Sequence, residues 1–373
     1  MGIYESLGVN TVINADARWT GLGASLMPEP VQQAMAEAAS GFVSIAELQK
    51  AAGRRIAELT NNEAAYITVN ATAGIMLSVL ACITRSDPLR IARYADLAEF
   101  PREVVIHAAH RIPFDPAITL GQGEMVQIGN AYRTTPEELR AAITDATAAV
   151  FYVAGSHVSG ALSLETTVDI AHESGVPVIV DAAAQLPPRS NLWHYSKDLG
   201  ADLVIFSGEK DLSGPQASGR IVGSEEYISA CTAVGPPSPH LPRVLKTGKE
   251  EIAGLVRAVE LYMSRDEDAF MEGLHRTVDG WIERIGHHEG VTAELLLPNL
   301  DGQPTPRAKV TVDPDSAGLT GAEVRTQLAQ GNPPIMAGAI DTDSFYLTPE
   351  TLKPGEETTV ADRVESVLKS ANN

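Results

Sequence analysis

Short, fully apolar runs alternate along this chain with longer stretches whose apolar residues recur every three or four positions. Strands are expected over residues 64–69, 103–106, 125–128, 148–153, 177–181, 203–206 and 220–222. These runs are rich in β-branched residues and apolar on both faces, the pattern of strands buried within a parallel sheet. Between several of them lie helical stretches. Ile45, Leu48, Ala52, Ile56 and Leu59 fall on one helical face. Pro30 and Gly41 bracket a helix over 30–40. Thr135-Pro-Glu-Glu places a cap, a proline and two acids in N-terminal order. Strand–helix alternation predicts an α/β fold with a mostly parallel central sheet. Gly235-Pro-Pro-Ser-Pro breaks this pattern. Beyond it, helices are expected over 249–263, 270–287 and 360–369, with strands over 292–297 and 309–312. The expected domains are an N-terminal arm and helix (1–40) associated with the small domain, a large domain (41–240), and a small α+β domain (241–373).

Composition narrows the setting. Over 373 residues, 44% are hydrophobic and 20% charged, which fits a globular chain. A net charge of −20 repels nucleic acid and anionic membranes. Cys82 and Cys231 both lie in apolar helical stretches and form neither a disulfide framework nor a metal-ligand cluster. Two buried thiols suit a reducing compartment. There is no apolar run of membrane-spanning length and no basic-then-apolar leader. The expectation is a cytoplasmic protein that handles a small molecule, without metal, nucleic acid or membrane.

Candidate chemistry clusters after the strands. The run over 203–206 leads into Ser207-Gly-Glu-Lys210, and the run over 177–181 ends in Asp181. Ligands of open parallel sheets bind outside the carboxyl ends of the strands. A lysine amine and a carboxylate at that edge suit pyridoxal phosphate (PLP), which uses a Schiff-base lysine and an acid facing its pyridinium nitrogen. A lone lysine after a strand is ordinarily solvated, so the neighbouring features matter. The run over 64–69 is followed by Asn70-Ala71-Thr72-Ala73-Gly74 and an apolar helix. Small residues at a helix start admit a phosphate to the backbone N–H groups. Thr72 and Ser207 would add hydroxyls; the plainer alternatives are a capped tight turn and a loop serine bonding its own backbone. His107 and His110 follow the run over 103–106, and an imidazole there could stack on the cofactor ring and pass protons.

The chain resembles the selenocysteine-synthase-like (L-seryl-tRNA(Sec) selenium transferase-like) fold-type-I PLP enzymes, and within them the D-glucosaminate-6-phosphate ammonia-lyase group. The resemblance is carried by Val12-Ile-Asn-Ala, Leu22-Gly-Ala-Ser-Leu-Met-Pro, Glu47-Leu-Gln, His110-Arg-Ile-Pro-Phe-Asp115, Val180-Asp-Ala-Ala-Ala-Gln-Leu-Pro-Pro188, Ala201-Asp-Leu-Val-Ile-Phe-Ser-Gly-Glu-Lys210, Gly214-Pro-Gln-Ala-Ser-Gly219 and Gly331-Asn-Pro-Pro-Ile335. It implies a fold-type-I architecture and a homodimer or higher homo-oligomer with sites at the subunit interface. It also implies Lys210 as the Schiff-base residue, Asp181 as the pyridinium partner, His110 as the active-site histidine, and residues 71–74 as the phosphate turn. Gln185, within the Asp181 segment, is a further cofactor-binding candidate. Lys246 and Lys249 match a Lys-x-x-Lys-Glu stretch near the family's site.

Three positions depart from the family: Glu209 replaces a glycine, Ser213 an arginine, and Gly338 stands where an arginine is common. Substrate contacts are therefore sought at Arg111, Arg18, Ser156, His157 and Lys249. The reading that follows is α,β-elimination on a small amino acid or amino-sugar acid, giving a keto acid and ammonia. Lys210 would take the α-proton and His110 would aid the leaving group. Racemisation, β-replacement and transamination start from the same α-carbon chemistry and remain alternatives. A tRNA-acting selenium transferase conflicts with the charge of −20. A non-catalytic PLP-binding protein conflicts with retention of both Lys210 and Asp181.

Overall fold

The computed structural model describes residues 2–155, 159–238 and 241–371. The chain divides into two compact units, Ser25–Arg265 and Met1–Ala24 together with Asp266–Asn373.

In the larger unit, seven strands form one sheet: β2 (Ala64–Thr68), β3 (Glu103–His107), β4 (Glu124–Ile128), β5 (Thr147–Val153), β6 (Val178–Asp181), β7 (Leu203–Ser207) and β8 (Gly219–Gly223). Their spatial order is β2-β8-β7-β6-β5-β3-β4. The pairs from β7 through β6, β5 and β3 to β4 are parallel, and β8 runs antiparallel to both its neighbours. Apart from the edge strand β4, whose Glu124 and Gln127 are exposed, the strands are buried on both faces because both faces are covered. The principal helices of this unit are α1 (Glu29–Ala39), α2 (Ile45–Leu59), α3 (Ala71–Thr84), α4 (Pro136–Ala142), α5 (Leu164–Glu173), α6 (Glu225–Val234) and α7 (Lys249–Ser264). One core joins Ala52 and Ile56 of α2, Val168 and Ala171 of α5 and Leu255 and Val259 of α7 to Ile67, Val150, Val180, Val204 and Phe206. The other joins α3 and α6 to Ile106, Phe151, Ile179, Ile205 and Ile221. Helix α3 is buried from Ala73 to Thr84, which explains a sequence that is apolar all round. Cys82 and Cys231 lie buried in α3 and α6.

The smaller unit holds a five-stranded sheet ordered β1-β11-β12-β10-β9. Its strands are β1 (Ile13–Ala15), β9 (Val291–Leu296), β10 (Arg307–Val312), β11 (Ile335–Ala339) and β12 (Ser344–Leu347). The extended arm expected at residues 12–15 is β1, which pairs parallel with β11. Helices α8 (Glu267–Ile285), α9 (Gly321–Ala329) and α10 (Glu356–Ala371) complete it, with Val278, Val324 and Val364 in the core against the strands. The ring of Tyr346 lies on Gly338: a Cβ there would come 2.0 Å from the ring. Tyr346 donates its hydroxyl to Asp16 Oδ1 at 3.0 Å, and the Arg307 guanidinium stands 4.7 Å over the ring.

Candidate active site

The carboxyl ends of the parallel strands share one edge of the large sheet, and antiparallel β8 begins there, with Gly219 paired to both Thr68 and Ser207. Asp181 closes β6, in register with Val153 of β5 and Ile205 of β7. It is buried, and its Oδ1 accepts the Ala183 N–H at 3.0 Å. Burial pushes its pKa above the usual aspartate value; the Ala183 amide and the Lys210 charge offset part of the rise. Lys210 stands three residues past the end of β7, the strand on which Ile205 pairs with Asp181.

Lys210 projects from a loop closed at its base. Gly208 N–H donates to Ser218 O at 2.9 Å, Gly214 N–H to Gly208 O at 2.8 Å, and Ser213 N–H to Lys210 O at 3.0 Å. A Cβ at Gly214 would sit 2.7 Å from the Gly208 carbonyl oxygen, so the closure requires glycine. Ser213 takes φ +52°. The Ser25 hydroxyl donates to the Glu209 carbonyl. Carboxylates of Glu209 and Asp211 are buried on either side of the lysine.

On the β2 side, Asn70 caps α3 by accepting the Ala73 N–H at 2.7 Å, while its carbonyl takes the Gly74 N–H at 3.1 Å. The first two amides, of Ala71 and Thr72, are left over by the helix and its cap, and both residues are half-buried. These amides, with the buried Ser207 beside them on the strand edge, could hold a phosphate. Gly74 serves packing instead. A Cβ there would lie 2.8 Å from Ile205 Cγ2, so glycine lets α3 settle on β7. Gly219 likewise admits β8 against the turn, since its Cβ would meet the Asn70 carbonyl carbon at 2.6 Å.

Three rings stand at the ends of β3 and β5. His110 Nδ1 accepts the Val153 N–H at 3.2 Å. Tyr152 meets His110 edge-on, 4.3 Å between centroids at 79°. His107 lies 4.9 Å from His110 and 5.9 Å from Tyr152. Burial lowers the His107 pKa to about 4, and neither of its ring nitrogens has a partner among the described residues.

The remaining sequence candidates are placed differently. Gln185 is buried; its N–H donates to Ala182 O at 3.0 Å and its carbonyl accepts from Asn191 at 2.6 Å. Arg111 turns to Asp115 at 2.5 Å and Gln127 at 3.0 Å. Lys249 donates to Ala38 O at 2.5 Å and Glu250 at 2.6 Å. Arg18 belongs to the smaller unit, paired with Glu350 at 3.1 Å. Ser156 and His157 lie outside the described residues. Lys249 also lines a cavity of ≈ 300 Å³ in the larger unit with Gln49, Arg243, Lys246 and Thr247. Tyr152 and Gly219 were not among the site candidates, Tyr152 reading as part of the apolar run over 148–153 and Gly219 only as the end of the segment Gly214–Gly219; the structure brings both to the strand ends that carry the candidates. Among the described residues, no group of histidines, cysteines and acids could hold a metal ion, and no helix is long and apolar enough to cross a membrane.

Comparison with known proteins places this geometry. The chain is 35% identical to D-glucosaminate-6-phosphate ammonia lyase of Salmonella typhimurium, over 99% of this chain and 98% of that one. It is 34% identical to 5'-C-glycyluridine monooxygenase-decarboxylase of a Streptomyces species, over 98% and 92%. A solved structure of D-glucosaminate-6-phosphate ammonia-lyase superposes with a TM-score of 0.87 at 33% identity, covering all of both chains. A structure of SPT with PLP gives a TM-score of 0.61 at 13% identity, covering 97% and 88%; the architecture is the fold-type-I one expected from the sequence. The model of the family SelA: L-seryl-tRNA selenium transferase matches residues 12–278. With these matches and the Asp181–Lys210 edge they accompany, the chain belongs to the L-seryl-tRNA selenium transferase (SelA) family.

Proposed function

We propose that the protein is a PLP-dependent lyase that removes ammonia from a small amino acid or amino-sugar acid to leave a keto acid. The observation carrying this reading is the buried Asp181 carboxylate under the charge of Lys210 at the carboxyl edge of the sheet. The residues suit the cofactor in three respects. The Ala71 and Thr72 amides and the Ser207 hydroxyl suit its phosphate. A buried acid whose own ionisation is disfavoured suits a cationic ring nitrogen. A lysine on a loop pinned by Gly208 and Gly214 suits its aldehyde. When bound, the cofactor supplies an electron sink for the substrate's α-carbon.

Lys210 would anchor the cofactor, and its Nζ, once displaced by substrate, would take the α-proton. Asp181 would keep the proton on the ring nitrogen. His110 would cover the ring. In the cavity lined by Arg243, Lys246, Lys249 and Glu250, Lys249 is taken by Glu250, and the cations Arg243 and Lys246 are suited to an anionic substrate group, which would make up for the arginines missing at Ser213 and Gly338. We further propose a cytoplasmic homodimer. Phe42 is wholly exposed and Tyr132 nearly so, and large bare aromatics of this kind are suited to a protein partner.

The test is a visible spectrum of the purified protein before and after borohydride. A yellow band, fixed by borohydride onto the peptide containing Lys210, is expected. Keto acid and ammonia should then appear with D-glucosaminate-6-phosphate or a β-hydroxy amino acid. A colourless protein that PLP cannot reconstitute removes the reading. The near-equal identity to a monooxygenase-decarboxylase supports a second outcome on the same residues. Oxygen uptake and carbon dioxide release from a glycyl-type amino acid, without ammonia loss from the sugar acid, would select it.

A further inference from the structure

The ring cluster constrains His110 more tightly than a general acid requires. Strand β3 pairs with β5 as far as Ile106 opposite Phe151. The chain then turns through a short 3-10 segment, Ala108–His110. Beyond this point the Val153 N–H has no β3 carbonyl beside it, and His110 Nδ1 takes the acceptor's place at 3.2 Å. His110 is fully buried. An Nδ1 that accepts an N–H must keep its lone pair, so the ring proton belongs on Nε2. Protonating Nδ1 would set two N–H donors against each other inside the protein and orphan the backbone one. The ring plane is fixed as well. Tyr152 abuts His110 edge-on at 4.3 Å, and its hydroxyl is tied to Leu162 O at 3.1 Å. His107, 4.9 Å from His110 and 5.9 Å from Tyr152, is a third ring of the same cluster, which burial keeps neutral.

We propose that Tyr152 is a positioning residue which, with the Val153 amide, locks His110 as the neutral Nε2–H tautomer in a single ring plane, so that His110 meets its ligand as a flat face and a fixed hydrogen-bond donor and not as a proton shuttle. The inference rests on the reading that His110 faces the cofactor, and it revises the expectation that His110 supplies the leaving-group proton. It places that proton on another donor, Lys210 after it has taken the α-proton being the one within the proposed machinery.

The lock is a property of the protein alone, so the first test uses cofactor-free enzyme. Heteronuclear NMR of isotope-labelled histidine, with His110 assigned by loss of its signals in His110→Gln, should show only the Nε2–H tautomer. A His110 that is charged, or that carries its proton on Nδ1, overturns the proposal without touching the cofactor reading. Tyr152→Phe keeps the edge contact and should keep the tautomer. Tyr152→Leu should populate both tautomers. In the loaded enzyme, Tyr152→Leu should weaken the circular dichroism of the visible band several-fold and lower kcat with KM little changed. An unaltered tautomer and an unaltered band in folded Tyr152→Leu would remove Tyr152 from the lock. Should that variant not fold, Tyr152→Trp gives the same readout. Failure of PLP to bind at all would sink the cofactor reading and leave the tautomer result standing.

Discussion

Two aspartates flank adjacent strands of the large sheet at its opposite edges, and they are treated in opposite ways. Asp202, just before β7, accepts from Val178 N–H at 2.8 Å and pairs with His172 Nε2 at 2.9 Å. Asp181, at the far end of β6, has the Ala183 amide at 3.0 Å and a burial that opposes its charge. The first carboxylate knits the sheet to α5. The second is held in a state that the protein by itself disfavours. Perturbed, desolvated acids of this kind collect where a ligand completes the arrangement. The difference separates an edge that the protein satisfies by itself from the edge at which we propose the chemistry.

The comparison can be tested from its largest expected effect downward. Lys210→Ala should cut turnover by roughly 10³-fold or more while leaving the far-ultraviolet circular dichroism unchanged; a fully active variant would remove the mechanism. The acid limb of stability comes next. The His107 pKa is about 4 in the fold against 6.5 unfolded, so between those values the unfolded chain binds more protons and stability rises with pH. Falling through that window should cost about 3 kcal/mol. Urea titrations at both ends should show it, and His107→Leu should flatten it. Gly74→Ala should cost about 1–3 kcal/mol, because its Cβ would press on Ile205; an unshifted melting temperature would contradict the packing role. The smallest effects bear on the aspartates directly. Asp202→Asn should lose about 1 kcal/mol. Asp181→Asn should stabilise the cofactor-free protein slightly, yet bind PLP weakly. Equal losses in both variants would erase the distinction between the two edges.

The chemical edge was the more legible in the sequence. Asp181 and Lys210 each follow a run of apolar residues, so strand ends alone locate them. The α3 turn was equally visible, although its last glycine proves to answer to Ile205. What local pattern could not carry was contact across long separations. His110 and Val153 meet over 43 residues, and Lys249 reaches Ala38 over 211. Arg111, sought as a substrate contact, is held by Asp115 four residues on and by Gln127 of β4, and only the second partner lay beyond local pattern. In the smaller unit, β11 (Ile-Met-Ala-Gly-Ala) carries little β-branched character and gave no strand signal. It is held by its neighbours β1 and β12.

The aromatic plate over Gly338 has a consequence for how this sequence could have diverged. An arginine placed at 338 alone would drive its Cβ into the Tyr346 ring. Removing the ring first would strip Arg307 of its stacking surface and Asp16 of its donor. Either single step passes through a protein less stable than both endpoints. Glycine at 338 and tyrosine at 346 are thus tied by a mutational valley, and the two positions are expected to change together.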